Sequence, residues 1–406
     1  MASSATASAT IAQIAAERRV HQAFQWLHLN EKRIMQWQAE LVGVPAPPFG
    51  EGPRAERLTG LFRELRLDNV HIDEAGNAVA RLRGSGGEGR CVLLSAHIDT
   101  VFPADTPIEP KLDGTRLTAP GACDNGAGVA AMLAMAAALQ DAQLRTACDL
   151  VLIGNVGEEG EGDLRGMRHF YRSDGGVDRE NIAAHVVLDG AGHEAAVTQG
   201  LGSKRFLITV SGPGGHSWTD AGRPNPIVIL SRAIERFSDV TVPDFPRTTV
   251  NVGTIEGGTA VNAIPERASA RFDLRSTDPE QLIRLEVELH RAVEDAVLAA
   301  EPGRRSSQRS VRFSVESIGD RPAGRLAEGC ALLELVRAVD RHLGIRTELR
   351  IASTDANIPL SLEVPAVSVG GGGEGGGIHT RGEWFDARGR ELGLRRLLLL
   401  LLAAAA

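Results

Sequence analysis

The sequence predicts an α/β protein of two domains, and three observations support that prediction. The chain has 406 residues, which is longer than a single hydrophobic core normally serves. Short runs rich in Val, Leu and Ile at 90–95, 149–156 and 184–188 have the length and composition of strands buried on both faces, and helical patterns separate them. Between 202 and 317 the order of elements changes to βαββαβ, which is typical of a ferredoxin-like module.

The predicted boundaries follow from where these patterns begin and end. The inserted domain occupies 202–317, and an outer α/β domain, with a mixed sheet flanked by helices, occupies 11–201 and 318–406. The helices expected in the outer domain are 11–42, 54–65, one ending near 140, 166–172 and 325–343. The strands expected there are 69–73, 78–82, 90–95, 149–156, 184–188, 347–351 and 366–369. Residues 1–10 are expected to be a frayed tail, and 397–406, too short to span a bilayer, to continue a packed helix.

Composition excludes several classes of protein. The formal net charge is −8, so the chain has neither the basic footprint of a nucleic-acid-binding protein nor a polybasic membrane patch. A hydrophobic fraction of 43% with 24% charged residues is ordinary for a globular protein. The four cysteines are far apart and form no CxxC pair, which favours free thiols in a reducing compartment. We therefore expect a cytoplasmic protein.

Two adjacent carboxylates, Glu158 and Glu159, follow the apolar run that ends at 156. Gly157 and Gly160 flank them and allow a sharp turn, so both side chains can lie at the carboxyl end of a strand, where open α/β sheets bind ligands. An acidic turn in solvent is the alternative for an isolated Glu-Glu pair. The rest of the chain favours the functional interpretation.

Residues of the types that bind metals follow two further strands, and another precedes a helix. His97 and Asp99 follow the strand at 90–95 and can share a face, so that Asp99 can orient the His97 ring. Asp189 follows the strand at 184–188, and Asp124 stands before an Ala-rich helix. Taken alone, the first pair could be a hydrogen-bonded core histidine, and Asp124 could be an N-cap.

A glycine-rich stretch at 370–377 leads to His379. Low complexity is the simplest interpretation of the glycines, with a mobile loop as the expected structure. A phosphate-binding loop is a weaker alternative, because no GK[ST] follows.

Two imidazoles and three carboxylates therefore stand where a metal centre could form. They are His97, Asp124, Glu159, Asp189 and His379. With one bridging carboxylate, such a set can hold two cations about 3.5–4 Å apart, as in co-catalytic hydrolases. Glu158 is left as the candidate general base for an activated water.

These motifs resemble a known family of di-zinc metallopeptidases that includes peptidase T, carboxypeptidase G, succinyl-diaminopimelate desuccinylase and aminoacylase. The resemblance extends over roughly 25–395. The matching segments are Ser95-Ala-His-Ile-Asp-Thr100, Gly121-Ala-Cys-Asp-Asn125, Gly157-Glu-Glu-Gly160, Leu188-Asp189, Gly214-Gly-His-Ser217 and Gly377-Ile-His-Thr380.

The resemblance implies a role for each matching residue. His97 and Asp189 would bind one zinc ion, Glu159 and His379 the other, and Asp124 would bridge them. Asp99 would orient His97, and Glu158 would be the base. Co²⁺ or Mn²⁺ would also suit these ligands.

The inserted domain is similar to the family's lid and dimerisation domain. The resemblance implies a homodimer in which His216 reaches the active site of the partner subunit and helps to hold the oxyanion. Asn262 and Arg275 resemble the family's substrate-anchoring residues, although a surface ion pair is the alternative for Arg275.

Two departures from the family pattern bear on the substrate. Asn125 follows Asp124 where the family often has a lysine nearby, and Asp189 stands where several branches have Glu. Both favour a peptidase T-like aminopeptidase acting on short peptides. The alternatives are an N-acyl-amino-acid amidohydrolase or carboxypeptidase with the same site, and a catalytically inactive binding module.

Overall fold

The computed structural model describes residues 4–86, 89–172, 177–301 and 310–406. The chain divides into two compact units, Met1–Gly200 with Arg325–Ala406, and Leu201–Gly324. Strand Arg312–Arg321 is continuous across residue 318, where the sequence analysis expected the outer domain to resume.

The helices, in chain order, are α1 (Ser4–Ala15), α2 (Arg18–Leu29), α3 (Glu31–Val42), α4 (Gly52–Glu64), α5 (Gly126–Asp141), α6 (Arg165–Phe170), α7 (Pro226–Ser238), α8 (Pro279–Ala300), α9 (Ala331–Leu343), α10 (Asn357–Ser361) and α11 (Arg390–Ala404). The strands are β1 (Asp68–Ile72), β2 (Ala78–Leu82), β3 (Cys91–His97), β4 (Lys111–Asp113), β5 (Arg116–Thr118), β6 (Asp149–Asn155), β7 (Ile182–Leu188), β8 (Ala195–Gly200), β9 (Gly202–Ser211), β10 (Gly215–His216), β11 (Thr248–Gly257), β12 (Ala263–Ile264), β13 (Arg267–Ser276), β14 (Arg312–Arg321), β15 (Gly324–Arg325), β16 (Glu348–Ala352), β17 (Ala366–Val369), β18 (Glu374–Gly376) and β19 (Trp384–Asp386).

The large unit is built on a mixed sheet, as the sequence predicted. Its strand order is β1-β2-β6-β3-β7-β17-β8-β15, with β16 beside β8. At the centre, β6, β3, β7 and β17 run parallel, while β2 is antiparallel to β6. All seven residues of β3 are buried, which explains its continuous apolar sequence.

Helices cover both faces of this sheet. Val92 and Leu94 of β3 face a core that includes α5 and α11, whereas Leu93 faces Met167 and Phe170 on the other side. The alternation follows from the two-residue period of a strand. Helix α5 is buried along nearly its whole length, and its small residues let α2, α3 and α11 pack close to it. Among the described residues, no helix is long and apolar enough to cross a membrane.

The N-terminal region differs from the prediction. The single helix expected at 11–42 is three helices, because Glu17 is extended and Asn30 leaves the helical region between α2 and α3. The Asn30 side chain also donates to the Trp26 carbonyl, an alternative to helical pairing that asparagine often offers. The expected frayed tail is wrong for α1, where Ala7 and Ile11 share one face and are buried against the core.

The small unit is a four-stranded antiparallel sheet in the order β11-β13-β9-β14, covered by α7 and α8. Phe206, Ile208 and Val210 of β9 alternate with more exposed residues and form its core with Phe272 of β13. The βαββαβ order of the ferredoxin-like prediction is confirmed, with the short pair β10 and β12 added to it.

Candidate metal centre

Three neighbouring parallel strands bring candidate ligands to one edge of the large sheet. His97 is the last residue of β3, Glu158 and Glu159 follow β6, and Asp189 follows β7. Because β3 pairs in parallel with both β6 and β7, the carboxyl ends of these strands meet. The observed sheet thus places these residues together as the sequence analysis expected.

Two further candidate ligands come from outside these strands. Asp124 precedes α5, and His379 lies in the turn between β18 and β19. The Nε2 atom of His97 is 3.0 Å from Oδ1 of Asp124, and the Nε2 atom of His379 is 3.1 Å from Oδ2 of the same carboxylate. His379 Nε2 is also 3.0 Å from Oε1 of Glu159. Asp124 therefore lies between the two imidazoles, with one oxygen toward each.

The donor atoms form two groups that share Asp124. In each group the potential ligand atoms lie within 4.8 Å of one another, and the groups are His97 with Asp124 and Asp189, and Asp124 with Glu159 and His379. Imidazole nitrogens and carboxylate oxygens suit zinc and similar divalent cations. This donor set therefore fits two cations that share one carboxylate.

The charges of the site favour cations as well. Burial, and after it the nearby charge of Asp124, raise the pKa of Asp189 to about 7. Burial also raises the pKa of Glu159. For Asp124 burial opposes ionisation, but hydrogen bonds from His379 and His97 lower its pKa below the usual value. Carboxylates so close together repel, and bound cations would relieve the repulsion.

Asp99 makes contacts that the sequence analysis did not foresee. Its carboxylate accepts hydrogen bonds from the backbone N–H groups of Glu158, at 3.0 Å, and Glu159, at 2.8 Å. The Nδ1 atom of His97 is 3.5 Å from Oδ1 of Asp99 and 3.2 Å from the Asp99 carbonyl oxygen. Asp99 therefore contacts the His97 ring and also anchors the turn that carries both glutamates.

The Glu158–Glu159 turn requires glycine before it. Gly157 has φ +67°, and a Cβ atom there would lie 2.6 Å from the Arg165 side chain. Glu158 itself is buried and is a member of neither group of potential ligands. It is held beside Glu159 by the backbone contacts to Asp99.

The sequence analysis missed the supporting roles of two residues. The Asn125 side chain accepts hydrogen bonds from the N–H groups of Gly128 and Gly190 and donates one to the Leu188 carbonyl, so it ties the Asp124 segment to the Asp189 segment. Asparagine is a preferred N-cap residue, so its position directly before α5 was a local signal for the hydrogen bond with Gly128. The other residue, Glu383, holds the segment that ends at Asp124, because its carboxylate accepts hydrogen bonds from three backbone N–H groups there. The sequence predicted neither a helix nor a strand around Glu383.

The glycine-rich segment has a packing explanation. A Cβ atom at Gly371 would lie 2.7 Å from the Ala127 carbonyl oxygen, and one at Gly375 would lie 2.3 Å from the Cys123 sulfur. Side chains at these positions would displace the segment around Asp124. The sequence predicted a mobile loop of low complexity here. It did not predict that these glycines pack closely against Ala127 and Cys123.

The remaining candidates, His216, Asn262 and Arg275, lie in the small unit. His216 is exposed, and its Nδ1 accepts a hydrogen bond from the backbone N–H of Trp218 at 3.1 Å, which leaves Nε2 as the protonated donor. The Asn262 carbonyl accepts a hydrogen bond from Ser217 N–H, so these two segments meet. Arg275 forms the ion pair that the sequence analysis named as its alternative, donating from Nε to Asp273 at 2.7 Å.

The fold and the site together define a metal-dependent hydrolase of the peptidase and amidohydrolase type. A sequence model of the group described as Peptidase family M20/M25/M40 matches residues 93–403. The chain belongs to this family, which confirms the resemblance derived from the motifs.

The chain is also similar to individual proteins, among them two sequence relatives and one protein of solved structure. The Uncharacterized protein YqjE of Bacillus subtilis (strain 168) is 27% identical over 378 residues, covering 87% of this chain and 94% of YqjE. A "Probable carboxypeptidase" of Uncinocarpus reesii (strain UAMH 1704) is 29% identical over 281 residues, covering 61% of this chain and 62% of that protein. The crystal structure of aminopeptidase PepT from Bacillus cereus ATCC 10987 has a TM-score of 0.74 at 21% identity, covering 93% of this chain and 99% of PepT. This last likeness is one of fold.

Replacing the shared carboxylate tests the metal centre. We expect the purified protein to hold about two divalent cations per chain, and Asp124→Asn to hold fewer than about one, because the amide supplies one neutral oxygen in place of a bridging anion. Metal content is measured by mass spectrometry of the dialysed proteins. Asp113→Asn, at an exposed position on β4, is the matched control and should keep the wild-type content. Full metal content in folded Asp124→Asn would contradict the assignment.

Proposed function

We propose that this protein is a two-metal aminopeptidase that acts on short peptides, with zinc as the metal. The observation that carries the proposal is the position of Asp124, one oxygen of which faces His97 and the other His379. In the proposed site His97 and Asp189 hold one cation, Glu159 and His379 hold the other, and Asp124 is shared. Co²⁺ and Mn²⁺ suit the same ligands.

When bound, the cations polarise the scissile carbonyl and lower the pKa of a water molecule. Glu158 is the general base that takes a proton from this water as its oxygen attacks the amide carbon. The C–N bond then breaks, and Glu158 returns the proton to the leaving nitrogen. Glu158 is buried and directly precedes Glu159, a candidate ligand. This position supports the role, because a general base must lie within hydrogen-bond reach of the water from which it takes a proton.

The other site residues would act on the substrate. The Nε2–H of His216 can donate to the oxyanion that develops on the carbonyl oxygen, and in the proposed homodimer this donor is His216 of the partner subunit. Asn262 and Arg275 would anchor the substrate. The contact with Asp273 would then orient the Arg275 guanidinium rather than exclude it from binding.

An aminopeptidase is favoured over the alternatives by two residues, Asp189 and Asn125, and by the likeness of fold to PepT. A carboxypeptidase or N-acyl-amino-acid amidohydrolase is the second candidate, favoured by the probable carboxypeptidase of U. reesii and by the suitability of Arg275 for a carboxylate. An inactive binding module is disfavoured, because the predicted ligands and base are all present.

We also propose a cytoplasmic location, which the four free cysteines support. Cell fractionation would test this location.

Removing the general base should abolish most turnover. We expect Glu158→Gln to lower kcat by about 10²-fold or more while metal content stays unchanged, because the amide cannot accept the proton. Peptide hydrolysis and metal content are measured on the same preparation. Glu161→Gln, at an exposed position three residues away, is the matched control and should keep its activity. Near-wild-type kcat in metal-loaded Glu158→Gln would refute the role of the base.

Substrate ends distinguish the candidate activities. We expect kcat/KM for tripeptides with a free amino group to exceed that for their N-acetylated forms by about tenfold or more, because acetylation removes the charge of the amino group and adds bulk at the end that an aminopeptidase recognises. Product analysis should show release of the N-terminal residue. The same peptides with a C-terminal amide are the control, since an aminopeptidase cleaves them and a carboxypeptidase does not. Preference for the N-acetylated forms would instead favour the amidohydrolase.

Subunit complementation tests the homodimer and His216 together. His216→Ala and Glu158→Gln should each be nearly inactive alone, but their co-expressed mixture should regain about one quarter of wild-type activity. The reason is that half of the dimers are hybrids and one of their two sites combines the intact residues. Light scattering should give the mass of two chains. A monomeric mass, or no recovery on co-expression, would contradict a site shared between subunits.

A further inference from the structure

We propose that Glu383 is a positioning residue that holds the Asp124 segment in its metal-ligating conformation. This inference rests on the proposed metal site and concerns a residue outside the ligand set. The Glu383 side chain is completely buried, four residues beyond His379.

Three hydrogen bonds carry the inference. Oε1 of Glu383 accepts from the N–H groups of Cys123, at 2.8 Å, and Asp124, at 2.7 Å. Oε2 accepts from Gly121 N–H at 3.1 Å. A carboxylate has enough lone pairs for all three, and no other side chain of this size offers two anionic oxygens. The segment that ends in the shared ligand is therefore bound on one side by a single side chain.

The backbone of Glu383 is itself anchored at both ends. Its N–H donates to the Thr380 carbonyl within the His379 turn, and its carbonyl accepts from Ala119 N–H beyond β5. Glu383 thus joins the His379 turn to the Asp124 segment, although these lie far apart in sequence. On the other side of Asp124, Asn125 makes the corresponding link to the Asp189 segment.

The consequence is that Glu383 sets where Asp124 stands relative to His379. All of these contacts are made by protein groups, so we expect the segment to keep its conformation when the metal is removed. A residue that orients a metal ligand typically contributes 10- to 100-fold to metal affinity or activity.

Glu383→Gln tests this role. An amide has one acceptor oxygen, so at least one of the three N–H groups loses its partner and meets an NH₂ group instead. We expect zinc affinity, measured by competition with a chelator, to fall about tenfold or more. We expect kcat to fall with KM unchanged. The EDTA-treated variant should stay folded, with a Tm lowered by only about a few degrees, because one buried N–H group loses its partner. Glu374→Gln, exposed on the same hairpin, removes an equal charge and should change none of these.

The outcomes separate this proposal from the proposed function. If the wild-type protein binds no zinc, the metal site itself is wrong. If the wild type binds two ions and Glu383→Gln binds them equally well, only the role of Glu383 is wrong. Should Glu383→Gln not fold, hydrogen exchange of the EDTA-treated wild type decides. Slow exchange at Cys123 and Asp124 supports the proposal, and fast exchange overturns it.

Discussion

The concentration of carboxylates at one edge of the central sheet is the constraint on which the rest of the large unit depends. Asp124 lies close enough to Glu159 and Asp189 that its charge adds to burial in raising the pKa of both, and the imidazoles of His97 and His379 lie among these carboxylates. Such a cluster is unfavourable unless cations and hydrogen-bond donors compensate it. The surrounding structure holds the segments that carry these carboxylates at several separate places.

Each acidic segment is held by a buried polar side chain from elsewhere in the fold. Asp99 binds the backbone of the glutamate turn, Asn125 binds the Asp189 segment, and Glu383 binds the segment that ends at Asp124. From the outer side, Gln38 of α3 donates to the Ala122 carbonyl. These contacts satisfy backbone groups that a turn would otherwise leave unpaired in the interior. Protein groups therefore hold the backbone segments that carry the candidate ligands.

Much of the fold and of the candidate site was predictable from local sequence patterns. The strands β3, β6 and β7 are buried on both faces, so their apolar runs and the polar residues at their ends are visible without any structure. The break between α2 and α3 was not visible, because Asn30 is compatible with a helix and leaves it only in this packing context. The close approach of Gly375 to Cys123 was hidden for a similar reason, since glycine repeats have no distinctive local pattern.

By itself the sequence determined the fold class, the family motifs and the identity of the candidate ligands, because each depends on residue type and short-range spacing. The tertiary structure decided which residues hold those ligands in place and showed that Arg275 pairs with Asp273. It also placed Glu383 against the Asp124 segment, 259 positions earlier in the chain. Contacts over such separations arise from the packing of strands and turns, and a single sequence carries no local signal for them.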